Sequence, residues 1–514
     1  MRLNRRLVPL LLVLLAGGVM AYRLAAKPLW NDEAFSYFVA RHGLAAAVRF
    51  ISQDTQPPLY YLLLSLWLPI GHGVAALRLL SVLAMALAVL PLYAAARRLF
   101  DDRTAAVAGL LFALTPLVVG WAQKVRPYPL QTLFLAIAFC GFVEVWCAPE
   151  AHADRIGQGM ARAVRTRRWG AARADLGWLA CALGGAGAML TQQPAGFFLL
   201  GCNCAVLFAV LPRPWLHWRW LVNWTVSQLV LIGVWLLWLP EFLHQIAINM
   251  TPEQIALRHT NFLINGTDVV GNLVGVFGIA SLWRGEPVAL VLQLGAAALG
   301  AALLLLGRRP GAPVHATKAM PLLVPLLVPV VVCVLGFLLV SPVLGYVIAD
   351  FIFLWLPYSV LIAYAVVHMR PRLLGVGLLG VLLLADAWGL RNYFQTPNQP
   401  TAQVAAVVRA GMRPGDGVIL SDNAAMRWTL GYYLGARRRE LVGLDVTAEW
   451  DLDRLLRTPA SAFGQQRDWV VLPGHQPSAV SLDVLAQRMR LLSRTKIGEA
   501  TVLLFESDRS PGTK

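Results

Sequence analysis

From Leu7 to Gly389 the chain is a succession of apolar runs, among them "LLFALTPLVVGWA" and "VLLLADAWGL", separated by short loops rich in arginine. In a bilayer core every backbone N–H and C=O must be paired inside the protein, so runs of about 20 apolar residues become spanning helices. Composition agrees: 58% of the 514 residues are hydrophobic and only 14% are charged, against roughly 25% charged in a soluble domain. The net charge of +17 does not point to nucleic acid, because the excess sits between apolar runs, where basic residues mark cytoplasmic loops.

Those loops fix a topology. Arg2, Arg5 and Arg6 hold the N-terminus in the cytoplasm. The start resembles a signal peptide, but its apolar stretch continues to about Ala26, long enough to span uncleaved. Residues 27–58 then form a first outer loop. The run 59–70 is only 12 residues, roughly 18 Å of helix against a hydrocarbon core near 30 Å. Counting it as a span would flip every later loop, so an interfacial or re-entrant helix is expected. Spans follow near 76–96, 104–121, 129–147, 175–191, 195–211, 220–240, 286–306, 319–340, 351–368 and 373–390, eleven with the first. "ARRLFDDR", the Arg-rich stretch 148–174, "PRPWLHWRW", "GRRPGAPVHATK" and "MRPR" fall inside. "QKVRPY" (123–128), "TQQPAG", the loop 241–285, "SPVLGYVIAD" (341–350) and everything after about 391 fall outside.

From about residue 397 the texture changes. "PTAQVAAVVRAGMRPGDGVILSDN" reads as an amphipathic helix, a turn and a short strand; "DWVVLPG" and "ATVLLFES" are further strands, and "SLDVLAQRMRLL" is expected to be a helix capped by Ser481. The expected architecture is a polytopic α-helical membrane domain over 1–392 and a soluble α/β domain over 397–514 on the outer side. The latter has no phosphate loop or nucleophile motif, which favours a structural or acceptor-docking role. The six cysteines (Cys140, Cys147, Cys181, Cys202, Cys204, Cys333) lie in or beside apolar runs and read as small buried hydrophobes. None lies in the outer domain, which is expected to fold without disulfides.

Polar groups reach the outer side from distant segments: the pair Asp32–Glu33, then Asp54, Gln56 and Tyr60, then Lys124, Arg126 and Tyr128, then Gln192, then Asp350. Charges at membrane depth are costly unless paired or used. A carboxylate with Lys124 and Arg126 suits transfer from a phosphate. The cations bind the leaving phosphate, Arg through a bidentate fork, and the carboxylate takes a proton from the nucleophile or holds a metal ion. The blander alternative for Asp32–Glu33 is a solvated loop pair or a charge at a helix N-terminus, and topology alone weighs the two evenly. His244 and His259, 15 residues apart, lack a metal-ligand spacing, and "NGT" at 265–267 reads as a turn.

Taken in order, W-x-D-E-A after the first span, PPLYYLL, R-L-L-S-V-L and Q-x-x-R-P-Y resemble the polyprenyl-phosphate-dependent membrane glycosyltransferases of the GT-C class. The nearest branches are the bacterial relatives of the protein O-mannosyltransferases and of the aminoarabinose transferase that modifies lipid A. The resemblance is strongest over residues 25–140, continues weakly to about 390, and extends to the outer domains often appended to this family. It implies an enzyme of the bacterial inner membrane with a periplasmic active site. Its donor is a polyprenyl-phosphate sugar, and its acceptor is lipid A or core, another glycan, a lipid or a protein. In that family the first outer loop supplies an acidic catalytic residue, and Asp32 occupies its place, to activate or orient the acceptor hydroxyl. Glu33 would support it or help hold a divalent metal; Arg126 and Tyr128 would contact the sugar phosphate.

Three positions depart from the family pattern. Gln56 stands where a His commonly precedes the Pro-Pro, Lys124 where a Glu lies two before the Arg, and Asp350–Phe351 where an Arg–Tyr pair is common. Without that His and Glu, Asp32 and Glu33 are the donors left for any metal. Lys124 and Asp350 carry charges inverted relative to the family, as a swapped pair would. Two other classes compete. A transporter or flippase of a lipid-linked substrate would show repeated halves and charges in broken mid-membrane helices, whereas no internal repeat is visible and the polar groups collect in loops. A catalytically inactive envelope-assembly scaffold accords with the missing His and Glu.

Overall fold

The computed structural model describes residues 7–147, 176–210, 218–253, 255–256, 295–303, 320–344, 348–396, 400–420, 423–435, 441–443, 467–472 and 489–507. The Arg-rich stretch 148–174, most of "PRPWLHWRW", all of "GRRPGAPVHATK", most of the loop 241–285 with His259 and "NGT", and most of the span near 286–306 lie outside the described residues. The chain divides into two compact units. The first is Met1–Tyr22, His42–Gly71 and Arg78–Gln395; the second is Arg23–Arg41, His72–Leu77 and Thr396–Lys514.

Among the described residues, five helices are long and apolar enough to cross a membrane: Val74–Leu99, Tyr128–Trp146, Leu322–Val340, Asp350–His368 and Arg372–Gln395. Two bent pairs raise the number to seven if each is one span, Asp102–Leu114 with Pro116–Ala122 (58°) and Trp220–Leu236 with Leu239–Asn249 (59°). The first bend follows from Pro116, which has no N–H for the ladder and crowds the preceding turn. Its neighbour Thr115 closes the earlier helix by donating its hydroxyl to Leu111 O at 2.7 Å. The second pair makes residues 241–249, expected to begin the outer loop, helical within Leu239–Asn249. Of the shorter apolar helices, Leu7–Ala21, Leu176–Met189 and Ala195–Phe208 coincide with expected spans, and Leu59–Ile70 with the expected short helix.

The first helix ends at Ala21 rather than near Ala26. Its terminal carbonyls, which have no partner within a helix, are taken up by Gln123, whose Nε2 donates to Met20 O at 2.9 Å and Tyr22 O at 2.7 Å. Tyr128–Trp146 packs antiparallel on Leu176–Met189 through small residues. Gly141 meets Gly177, a Cβ on Gly184 would lie 2.7 Å from Ala138 N, and one on Gly187 would lie 2.6 Å from the Phe134 ring. Close backbone approach of this kind is how membrane helices gain packing where lipid offers no hydrophobic drive.

In the second unit a five-stranded sheet comprises β1 (Gly417–Leu420), β2 (Leu441–Gly443), β3 (Arg467–Leu472), β4 (Met489–Ile497) and β5 (Ala500–Ser507), ordered β2-β1-β3-β5-β4. β1 runs parallel to β2 and β3, and β5 is antiparallel to β3 and β4. Helices Thr401–Gly411 and Asn423–Leu434 supply Val404, Val408, Met426 and Leu430 to a core shared with Val418, Leu420, Trp469, Val471 and Val502. The helix expected over "SLDVLAQRMRLL" is not continued at its end: residues 489–492 belong to β4, and the preceding ones lie outside the described residues. Pairing with the buried strand β5 outweighs the local helical pattern, the usual tertiary override of propensity.

Candidate active site

The turn between Pro116–Ala122 and Tyr128–Trp146 carries Lys124 and Arg126. Arg126 is 8% exposed, and its Nη2 donates to the Tyr128 hydroxyl at 3.3 Å. Lys124 Nζ lies 3.8 Å from the centre of the Trp121 ring, which itself meets Tyr128 edge-on at 4.9 Å. The helix Leu59–Trp67, starting just after Pro57–Pro58, brings Tyr60 and Tyr61, both fully buried. Tyr60 shares a hydrogen bond of 3.3 Å with Ser81 of the R-L-L-S-V-L stretch, where Arg78 is buried as well. Burial pushes the Tyr61 hydroxyl well above its ordinary pKa. The Arg126 guanidinium pulls it back, while Asp54, Tyr128 and Tyr60 push it further up. Tyr61 is thus coupled electrostatically to Arg126, Asp54, Tyr128 and Tyr60, and its ring meets that of Tyr60 edge-on at 5.7 Å.

A second group of expected residues adjoins this one through the backbone. Leu59 N–H donates to Leu190 O at 3.0 Å, and two residues on, Gln192 Nε2 donates to Asp350 Oδ1 at 3.4 Å. Both partners are buried, Asp350 on the turn Ile348–Leu354 that leads into the helix Trp355–His368. The Gln56 backbone carbonyl accepts from Gln245 Nε2 at 3.0 Å, and Gln245 also reaches Ile51 O at 2.8 Å. Asn249 extends the same support to Asp54 O at 3.4 Å. The helix Leu239–Asn249 therefore fixes the 51–56 turn that presents Asp54 and Gln56.

Asp32 and Glu33 belong to the second unit, in the first turn of the helix Asn31–Ala40. Glu33 is fully buried, and its Oε2 accepts from Trp30 N–H at 2.8 Å, the reach-back bond of a third helical residue to the cap position. Asp32 is only half-buried. The helix is anchored on Asn423–Leu434: Asn31 Oδ1 accepts from Trp428 N–H at 2.9 Å, and Phe38 and Phe35 pack on the Trp428 ring at 4.5 and 5.4 Å. Leu29 N–H donates to the Tyr433 hydroxyl at 2.8 Å. No three His, Cys, Asp or Glu side chains gather into a metal-binding group among the described residues. With one Glu33 oxygen given to the helix cap, the pair alone falls short of a protein-built cation cage.

Sequence reasoning passed over four residues here. Tyr61 lies within PPLYYLL, and Gln123, Gln131 and Gln245 are uncharged amides in apolar surroundings. Gln131, inside the span expected near 129–147, carried the clearest signal, the cost of a polar side chain inside a spanning run. Gln131 is one turn beyond Tyr128 in "YPLQTLFLAIAF".

The fold is that of a polytopic helical membrane protein with the GT-C architecture. The structure is similar to apo ArnT from Cupriavidus metallidurans, with a TM-score of 0.59 at 14% identity over 96% of this chain and 97% of that one. It is also similar to the oligosaccharyltransferase AglB from Archaeoglobus fulgidus in complex with an inhibitory peptide and a dolichol-phosphate, with a TM-score of 0.50 at 12% identity over 90% of this chain and 69% of that one. Residues 55–152 match the family model of dolichyl-phosphate-mannose-protein mannosyltransferases. That match covers the 51–61 turn and helix in part and the whole Lys124–Tyr128 turn. No curated protein matches the chain by sequence.

Proposed function

We propose that this protein is an integral membrane glycosyltransferase that moves a sugar from a polyprenyl-phosphate donor to a hydroxyl of an envelope glycan, lipid or protein. In this reading it sits in the bacterial cytoplasmic membrane with its N-terminus inside and residues 397–514 outside. The observation that carries it is the buried Arg126–Tyr128 pair, lying within the stretch matched by a lipid-phosphate-sugar transferase family and on an ArnT-like fold. A guanidinium removed from water is expensive to hold and is well matched by the two oxygens of a phosphate.

In the mechanism, Arg126 forks onto the donor phosphate, with Tyr128 and Lys124 beside it. The acceptor hydroxyl attacks the anomeric carbon, whose bond to the phosphate oxygen breaks. The electron pair leaves with the polyprenyl phosphate, where Arg126 stabilises the growing charge. The hydroxyl proton passes to the Asp32 carboxylate. Glu33, by capping its helix, orients the turn that presents Asp32, and Asp54, Gln56, Tyr60, Gln192 and Asp350 line the substrate region.

The test is binding of undecaprenyl phosphate to the full-length protein in nanodiscs, followed by tryptophan fluorescence. Arg126→Ala should weaken binding about tenfold to a hundredfold, the worth of charge-assisted hydrogen bonds. Arg126→Lys should recover part of the loss, since a point charge replaces the fork. Equal affinity for wild type and Arg126→Ala would contradict the assignment.

A further inference from the structure

Both ends of the Gln131 side-chain amide and the hydroxyl of Tyr61 are buried without a hydrogen-bond partner among the described residues. The two side chains are fully buried. A fold shaped by stability alone would carry Leu and Phe there, because an unmatched buried donor or acceptor forfeits its hydration for nothing. Their placement gives a reason to keep them. Along the antiparallel pair of helices, Gly141 sits level with Gly177, Ala138 with Gly184 and Phe134 with Gly187. Extended by one turn, that register would bring Gln131 level with residues 190–192. Leu190 O there holds Leu59 N–H, and Gln192 holds Asp350. Tyr61 follows Leu59 by two residues and lies in the field of Arg126, Asp54 and Tyr128. Gln131 is also one helical turn from Tyr128, on the same side of its helix. Both unmatched groups thus connect to the Arg126–Tyr128 turn, Gln131 along the helix and Tyr61 through its electrostatic coupling.

We infer that Gln131 and Tyr61 are specificity residues that hydrogen-bond the hydroxyl groups of the sugar carried by the lipid phosphate. The inference rests on the donor reading above. The chemistry separates sugar from phosphate: a phosphate anion only accepts, so the Gln131 carbonyl would be wasted or repelled against it. A ring hydroxyl both donates and accepts, which satisfies the amide at both ends, and the Tyr61 hydroxyl serves a second one. Sites built to hydrogen-bond a substrate hydroxyl discriminate strongly, because the wrong ligand leaves their polar groups unpaired.

Full-length wild type, Gln131→Leu and Tyr61→Phe in nanodiscs would be titrated with undecaprenyl phosphate and with undecaprenyl phosphate bearing a hexose, a 4-amino-pentose or a hexuronic acid, and their melting followed without ligand. Wild type should bind at least one sugar-bearing lipid about tenfold more tightly than the bare lipid. Gln131→Leu should reduce that preference about tenfold and Tyr61→Phe about threefold, in line with neutral hydrogen bonds. Both variants should bind bare undecaprenyl phosphate within about twofold of wild type and melt no lower than it does, since each removes an unmatched polar group. Three results would overturn the inference: a wild type without sugar preference, variants that keep the preference, or variants that lose affinity equally for both lipids. Tyr61→Phe, which deletes a single oxygen, keeps the test decisive if Gln131→Leu fails to fold. A wild type that binds neither lipid would remove the donor reading itself, and this inference with it.

Discussion

Gln123 uses all of its side-chain amide. Its Nε2 serves the carbonyls of Met20 and Tyr22, and its Oε1 accepts from the Tyr393 hydroxyl at 3.0 Å, so one buried residue ties the first helix and the Arg372–Gln395 helix to the turn that carries Arg126. The Tyr22 ring against Phe394, at 5.0 Å, adds to the same junction. Gln123→Leu deletes three hydrogen bonds, two of them to the buried residues Met20 and Tyr393. It should cost about 3 kcal/mol of stability, read as a lower melting temperature in detergent; an unchanged melt would show that water replaces the amide freely. Gln123 was quoted in the Q-x-x-R-P-Y motif without a role, because a sequence does not reveal which distant carbonyls a side chain will meet. The resemblance drew attention to Asp32, Glu33, Arg126 and Tyr128. What the motif hid is the use of Glu33 as a helix cap, which depends on backbone geometry.

Among the elements, β1 and β3 of the second unit are held at their starts by Asp416. Its carboxylate accepts from Arg467 Nη2 at 2.6 Å and Nε at 3.0 Å, from Trp469 Nε1 at 3.1 Å and from Arg413 N–H at 2.8 Å. Burial would raise the Asp416 pKa, but these bonds, the Arg467 bonds foremost, outweigh it and hold the carboxyl below its usual range. A group depressed in the folded state contributes stability that is complete above its unfolded value, near pH 4, and is lost as the pH falls through the folded value. Asp416→Asn should therefore destabilise this unit by about 3 kcal/mol at pH 7, the scale for breaking a buried ion pair. The gap from wild type should narrow below about pH 4. Melting of the full chain across that range checks both. A gap that stays constant down to low pH would refute the carboxylate's role. "DWVVLPG" and "ATVLLFES" announced their strands because both are short β-branched runs, and the helix ending at Gly411 was legible from its apolar spacing. The strand over 489–497 was not, because its partner β5 is what makes those residues extended.

For the molecule as a whole, the membrane architecture was legible because hydropathy and loop charge reflect the cost of leaving backbone and arginine unhydrated, which acts along the whole chain. The broken helices at Pro116 and near Pro240 were less so, since a proline inside an apolar run permits either a kink or a stop. The division into two compact units was not foreseen in the placement of residues 23–41, which cluster with the C-terminal segment through Asn31, Phe35 and Phe38. Long-range packing of that kind leaves no local pattern. The central claim, a sugar transferase with Asp32 as proton acceptor, is tested most directly in a strain lacking this gene, complemented with wild type or Asp32→Asn at equal membrane levels. Envelope lipids, glycans and proteins are then surveyed by mass spectrometry. The account predicts a hexose, pentose or uronic-acid mass shift with wild type that disappears with Asp32→Asn, and the shifted molecule identifies the acceptor. Identical profiles from the two strains would contradict it and favour a transporter or an assembly scaffold.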